Sequence, residues 1–170
     1  MQIQAGLYKG RRVKTVKNAP YRPTTSLVRK SLFDIIGNLK GKSVLDLFAG
    51  SGIVGFEAAS RGATSITFVE SSMRINSLLK INGSLFNQTD FKYIKQDATK
   101  YITKCGQYDI IFADPPYDSD FIEKFINDAI QHLNKDGLLI LESSIKEYSI
   151  SPYRIKEYGD TQLTFWRNEK

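Results

Sequence analysis

A chain of 170 residues, 41% of them hydrophobic and 25% charged, suits one domain folded around a single core. No apolar run nears the roughly 20 residues that span a bilayer, and the first ten residues lack a signal-like stretch, so the expected location is the cytoplasm. The single cysteine, Cys105, excludes an internal disulfide, and with His132 as the one histidine no metal site is expected.

The net charge of +6 is unevenly spread: residues 1–42 carry ten Lys or Arg against Asp34 alone, a local +9, and the rest of the chain carries −3. A basic leader on a mildly acidic body is the footprint of an arm for phosphate backbones, or of a solvated surface with no partner. Charge alone does not choose between them.

In chain order, Val13 and Val16 sit among basic residues ahead of Pro20 and Pro23 and read as short extended segments or loops. Thr24 or Thr25 caps a helix in which Leu27, Val28, Leu32, Ile35 and Ile36 recur at helical spacing, and Gly37 stops it. Strands are expected at 43–48, 65–69, 91–94, 108–113 and 138–141, with helices at 53–61, 73–86 and 121–133 and a short one before residue 108. The helix at 73–86 offers Ile75, Leu78, Leu79, Ile81 and Leu85 for its buried face. Apolar strands alternating with helices indicate a parallel sheet covered on both faces. Two last strands, 153–158 and 162–166, flank Gly159-Asp160 and read as an antiparallel hairpin. The fold class is therefore α/β, with a mainly parallel seven-stranded sheet. Residues 1–40 form a basic segment and helix packed on the core, and 41–170 the main body of a single domain.

Two loops carry the chemistry. The run from Val44 to Gly52 is a strand entering a glycine-rich turn, where Gly50 and Gly52 let the backbone turn sharply beside a ligand. Gly50-Ser51-Gly52-Ile53-Val54-Gly55 also satisfies G-x-G-x-x-G, with Glu70 twenty residues on, so the string alone admits a dinucleotide. Asp46 weighs the other way, because a strand-end carboxylate attracts the ammonium and sulfonium of adenosylmethionine and repels a pyrophosphate. Glu70 is placed to accept from both ribose hydroxyls. Asp97 is placed to accept from an adenine amine, or simply to cap a helix.

The second loop, Asp114-Pro115-Pro116-Tyr117, follows a buried strand. The prolines fix φ and remove two amide donors, leaving a stiff loop with free carbonyl acceptors. Asp114 and a loop carbonyl can accept from both hydrogens of an aromatic amine, a poor nucleophile, and stabilise the charge it develops as it attacks a methyl group. Tyr117 can stack on an unstacked base. The two loops together indicate amino-group methylation by an adenosylmethionine-dependent enzyme.

With Tyr21-Arg22-Pro23-Thr24-Thr25 and the leader from Gly6 to Arg12, these residues resemble the RsmD family, bacterial methyltransferases of a guanine N2 amine in small-subunit ribosomal RNA. The resemblance spans nearly the whole chain. It implies a Rossmann-like class I methyltransferase fold with a basic N-terminal extension. It also implies adenosylmethionine held by Asp46, Phe48, Gly50, Gly52, Glu70 and Asp97, and a guanine held by Asp114, Pro115, Pro116 and Tyr117. Lys9, Arg11, Arg12 and Arg22 would meet RNA phosphates. After the paired threonines the family has an acid and then Arg, where this chain has Ser26-Leu27. The target base must be exposed or flipped, and the expected substrate is 16S ribosomal RNA in an assembly intermediate, met by a monomer. The rival readings are a DNA adenine-N6 methyltransferase, a protein glutamine methyltransferase, a non-catalytic RNA-binding assembly factor and a nicotinamide dehydrogenase.

Overall fold

In a computed structural model, described over residues 1–16, 24–116 and 121–169, seven strands form one sheet in the order β3-β2-β1-β4-β5-β7-β6. The elements are α1 (Ser26–Ile36), β1 (Ser43–Leu47), α2 (Ile53–Ser60), β2 (Ser65–Val69), α3 (Met73–Gly83), β3 (Asp90–Ile94), α4 (Ala98–Ile102), β4 (Tyr108–Ala113), α5 (Ile122–Gln131), β5 (Leu133–Ser144), β6 (Arg154–Tyr158) and β7 (Thr161–Arg167). Strands β1 to β5 pair in parallel. β7 enters antiparallel between β5 and β6. The mainly parallel sheet with its carboxyl-terminal hairpin is the one expected.

The central strands are apolar on both sides, and their alternation divides the core. Val44, Ile110, Phe112 and Ile140 join one cluster with Leu32 of α1, Phe56 of α2 and Leu79 of α3. Their neighbours Leu45, Leu47, Ile111, Leu139 and Leu141 join the other with Ile102 of α4 and Phe125 of α5. Successive strand residues thus feed opposite layers, which is the period of two in the backbone made visible. Ile3, Tyr8 and Val13 belong to the first cluster, so the basic leader is anchored by its apolar residues. Its chain folds back on itself: Ile3 N–H donates to Arg11 O at 2.9 Å and Gly10 N–H to Ile3 O at 2.9 Å. The fully buried Glu57 of α2 accepts from Gln4 N–H at 2.8 Å and Ala5 N–H at 3.0 Å. A Cβ on Gly6, which sits at φ +84°, would lie 1.9 Å from Ser60 O, so this crossing requires glycine.

Thr25 caps α1, its hydroxyl accepting from Val28 N–H at 3.3 Å, and Gly37 ends that helix as expected. Two expectations are corrected. The helix expected at 73–86 ends at Gly83, so Leu85 lies beyond α3; Ile81 and Leu85 are exposed, and Asn76 and Asn82 are buried in their stead. Asn82 exchanges two hydrogen bonds with the backbone of Lys14, at 3.0 and 2.9 Å, so the leader supplies polar partners that the helix sequence does not reveal. The second correction concerns β5, expected at 138–141, which runs from Leu133 to Ser144 and so takes in Leu133, expected as the last residue of the preceding helix. His132 O accepts from Tyr108 N–H at 2.9 Å, and the pairing with β4 then shifts register between Tyr108 and Ile110. Asn168 secures this irregular stretch by donating to Leu133 O at 2.9 Å.

Candidate active site

The strand order reverses between β1 and β4, and in open α/β sheets the crevice outside such strand ends is where ligands bind. β1 leads into Phe48, Ala49, Gly50, Ser51 and Gly52, and β4 leads into Asp114, Pro115 and Pro116. Because Leu47 pairs with Ala113, the two loops leave the sheet side by side.

The first loop is held under strain. Phe48 adopts φ 57°, a conformation that costs an aromatic residue energy and that clusters at functional sites. Gly50 N–H donates to Glu70 Oε2 at 3.1 Å, and Ser72 N–H donates to Glu70 Oε1 at 2.8 Å. One carboxylate therefore ties the turn after β1 to the turn after β2. Gly52 sits at φ +72°, the sharp turn expected of it, and a Cβ there would lie 2.5 Å from Leu79 Cδ2 and 2.9 Å from Phe56 Cε2, so its missing side chain also makes room for the core.

A cleft of about 490 Å³ opens between the loops, lined by Phe48, Gly50, Glu70, Asp97, Asp114, Pro115 and Pro116, with Ser72, which caps α3, and Ile75 of α3. That volume is within the range of small-ligand sites. Asp97 lines it while capping α4: its Oδ1 accepts from Thr99 N–H at 2.9 Å, Lys100 N–H at 3.2 Å and the Thr99 hydroxyl. Those bonds hold its carboxyl below the ordinary aspartate value, the Thr99 hydroxyl most of all.

A smaller hollow adjoins the cleft, with Asp46, Asp114, Phe48, Gly50 and Thr24 in its wall. Asp46 is buried and accepts from Gly55 N–H at 3.0 Å. Burial pushes its carboxyl from 3.8 up to about 8; the Gly55 bond opposes the shift and the charge of Glu70 adds to it. Asp114 is likewise pushed up to about 8, by burial first and then by the charges of Glu142 and Asp46. Both acids therefore resist ionising until positive charge comes near.

Most of the expected site residues thus converge, Asp46 from the adjoining hollow. Tyr117 and Arg22 lie outside the described residues. Lys9 lines a separate open hollow of about 550 Å³ with Gln4, Thr24, Thr25, Ser26 and Arg29, and Thr24 is common to it and the acidic hollow. Arg11 and Arg12 are exposed, and the Arg11 guanidinium stands over the Tyr8 ring, 4.6 Å from its centroid. Glu142 went unread in the sequence, and Thr24 was read there only as a candidate cap and as part of the motif at 21–25. Glu142 is buried near the end of β5, and Thr24 donates to its Oε2 at 2.7 Å. The signal for Glu142 was an acid closing the apolar run of β5.

The donor set fits a cationic ligand with a sugar and a base. Acids flank the Gly50 turn, Asp97 stands at the far end, and Phe48, Val69, Ile75 and Ala98 supply apolar wall. A pyrophosphate would face the Glu70 carboxylate and would bring no positive charge to let Asp46 and Asp114 ionise.

The family model described as conserved hypothetical protein 95 matches residues 1–167. Ribosomal RNA small subunit methyltransferase D of Buchnera aphidicola is 35% identical over 156 residues, covering 88% of this chain and 81% of that one. Among solved structures, yhhF of Escherichia coli superposes with a TM-score of 0.86 at 26% identity, covering 99% of this chain and 98% of that one. The T. thermophilus 16S rRNA N2 G1207 methyltransferase, solved with AdoMet and guanosine, has a TM-score of 0.69 at 22% identity, over 89% of this chain and 44% of that one, a likeness of fold.

Proposed function

The chain belongs to the conserved hypothetical protein 95 family, the RsmD family, and on that premise we propose that it transfers a methyl group from adenosylmethionine to the exocyclic N2 amine of a guanine in 16S ribosomal RNA. The observation that carries the reading is the shared cleft: the Gly50 turn and the Asp114-Pro115-Pro116 loop face one cavity from adjacent strand tips.

Adenosylmethionine supplies an electrophilic methyl group carried on a sulfonium. Asp46 and the Gly50 turn hold its charged end, Glu70 its ribose and Asp97 its adenine, with Phe48 as apolar wall. Gly52 serves the same site indirectly, by letting the turn seat on Leu79 and Phe56. Asp114 accepts one hydrogen of the guanine amine and a carbonyl of the proline loop accepts the other. The nitrogen is thereby aimed at the methyl group, and the positive charge it gains on attack is met by a carboxylate. Asp114 or water then takes the proton. Tyr117 stacks on the base, and Lys9, Arg11, Arg12 and Arg22 meet RNA phosphates. The substrate is RNA in a small-subunit assembly intermediate, met in the cytoplasm by a monomer.

The test is methyl incorporation from labelled adenosylmethionine into unmodified 16S ribosomal RNA, into small-subunit particles and into plasmid DNA. Label is expected in RNA or particles. Asp114→Ala is expected to keep cofactor binding by calorimetry and to lose transfer by about a hundredfold or more. Label confined to DNA, calorimetric preference for NAD, or unchanged turnover of Asp114→Ala would each overturn the reading.

A further inference from the structure

Three acids stand at the tips of three adjacent strands. Leu47 pairs with Ala113, and Ala113 with Leu141, so Asp114 and Glu142 are the next residues along two neighbouring parallel strands, with Asp46 one step back from the tip of β1. Alternation puts all three on one face of the sheet, the face to which Val44, Phe112 and Ile140 point. Glu142 is 6% exposed and directly follows the run Leu138-Leu139-Ile140-Leu141, where an aliphatic residue would avoid the cost of burying a carboxylate. Thr24 is equally buried, and its hydroxyl gives Glu142 Oε2 a hydrogen bond at 2.7 Å. Thr24 also lines the hollow shared by Asp46 and Asp114, and it directly precedes the Thr25 cap of α1.

We propose that Glu142 is a positioning residue for methyl transfer: pinned by the Thr24 hydroxyl, its carboxylate holds negative charge against Asp114 and fastens the start of α1 to the reaction centre. The proposal rests on the functional reading given above. Its chemistry runs through Asp114 alone. A neighbouring negative charge raises the proton affinity of that carboxylate, and a more basic acceptor binds the amine hydrogens more strongly as the nitrogen becomes cationic. Among the described residues the ionisable groups acting on Asp114 are Asp46 from β1 and Glu142 from β5, with Glu70 acting on Asp46 in turn. Thr24 carries no charge itself, but its hydroxyl fixes the position of the Glu142 carboxylate and favours the charged form.

The experiment compares the full-length wild type with Glu142→Gln and Thr24→Val in two measurements. The first is a carbon-13 titration of the Asp114 carboxyl in the free protein, assigned against Asp114→Asn. The second is single-turnover transfer to unmodified 16S ribosomal RNA across pH at saturating cofactor. Glu142→Gln is expected to lower the Asp114 midpoint by about one pH unit. Its transfer profile shifts to lower pH by a similar amount, while its alkaline plateau falls several-fold because the acceptor is weaker, so the two profiles cross. Thr24→Val is expected to move both quantities the same way by a smaller amount, and it decides the matter if Glu142→Gln does not fold. An unmoved Asp114 midpoint, or a loss of rate uniform across pH, overturns the proposal. A wild type that transfers no methyl group to RNA defeats the functional reading and this proposal with it, whereas an active wild type with an unmoved midpoint in the variants defeats the proposal alone.

Discussion

Asp46 shows how one side chain links stability to ligand charge. Its carboxyl titrates near 8 in the folded chain and near 3.8 in an unfolded one. Between those values the native state keeps a proton that the unfolded state releases, so this residue lowers stability progressively as pH rises from about 4 to about 8. Asn has nearly the same shape, can still accept from Gly55 N–H, and does not ionise. Urea unfolding of Asp46→Asn and wild type at pH 5 and pH 8 is therefore expected to show the variant gaining up to a few kcal/mol relative to wild type at the higher pH. Equal differences at the two pH values would show that Asp46 ionises freely in the fold. The same variant is expected to bind adenosylmethionine more weakly, having lost the charge that the ligand would restore. The sequence made the type of chemistry at this residue legible, since an acid at the end of an apolar strand has few structural uses. The degree of shift was not legible, because it depends on Glu70 and on burial by elements distant in the chain.

At the scale of single elements, the strands were legible because each central strand is a continuous apolar run, and helix ends were legible where a threonine or glycine marks them. The misread parts share a cause: residues far along the chain supply the partners. Asn82 is buried because Lys14 satisfies it, and β5 starts early because Asn168 and Tyr108 take up its irregular turn. The need for glycine at position 52 was legible from the turn, but its second reason was not, since only the folded chain brings Leu79 against it. Asp97 presents the opposite case, where two readings were both open. It caps α4 through Oδ1 and lines the cleft as well. The roles separate by substitution. Asp97→Ser keeps a capping oxygen and is expected to stay within a few tenths of a kcal/mol of wild type in stability, while Asp97→Ala loses about 1 kcal/mol. Both are expected to weaken adenosylmethionine binding about tenfold, because each removes the carboxylate proposed to receive the adenine. Calorimetry showing wild-type affinity for Asp97→Ser would reduce Asp97 to a cap.

Across the whole molecule, charge and shape fall on different parts of the chain. Acids gather at the strand tips, and the basic leader packs its Ile3, Tyr8 and Val13 into the core while Lys9, Arg11 and Arg12 stay exposed. Glu57 receives the backbone of the leader from inside α2, so the arm is part of the folded body, and its Lys9 lines a hollow that has Thr24 in common with the acidic site. This asymmetry was visible in the charge count, but its anchoring was not, because Glu57 reads in sequence as an ordinary helix acid. Phosphate contacts release counterions, each steepening the fall of affinity with salt by somewhat less than one logarithmic unit on single strands. Arg12→Ala is expected to lower the salt slope of RNA binding by about one while leaving melting temperature unchanged. Arg11→Ala is expected to lower the slope similarly and also to destabilise the leader slightly, because the guanidinium stacks on Tyr8. Binding measured by filter retention from 50 to 300 mM salt distinguishes these outcomes. Slopes identical to wild type in both variants would make the basic face a solubilising surface, and RNA would then have to be gripped through the proline loop and its neighbours alone.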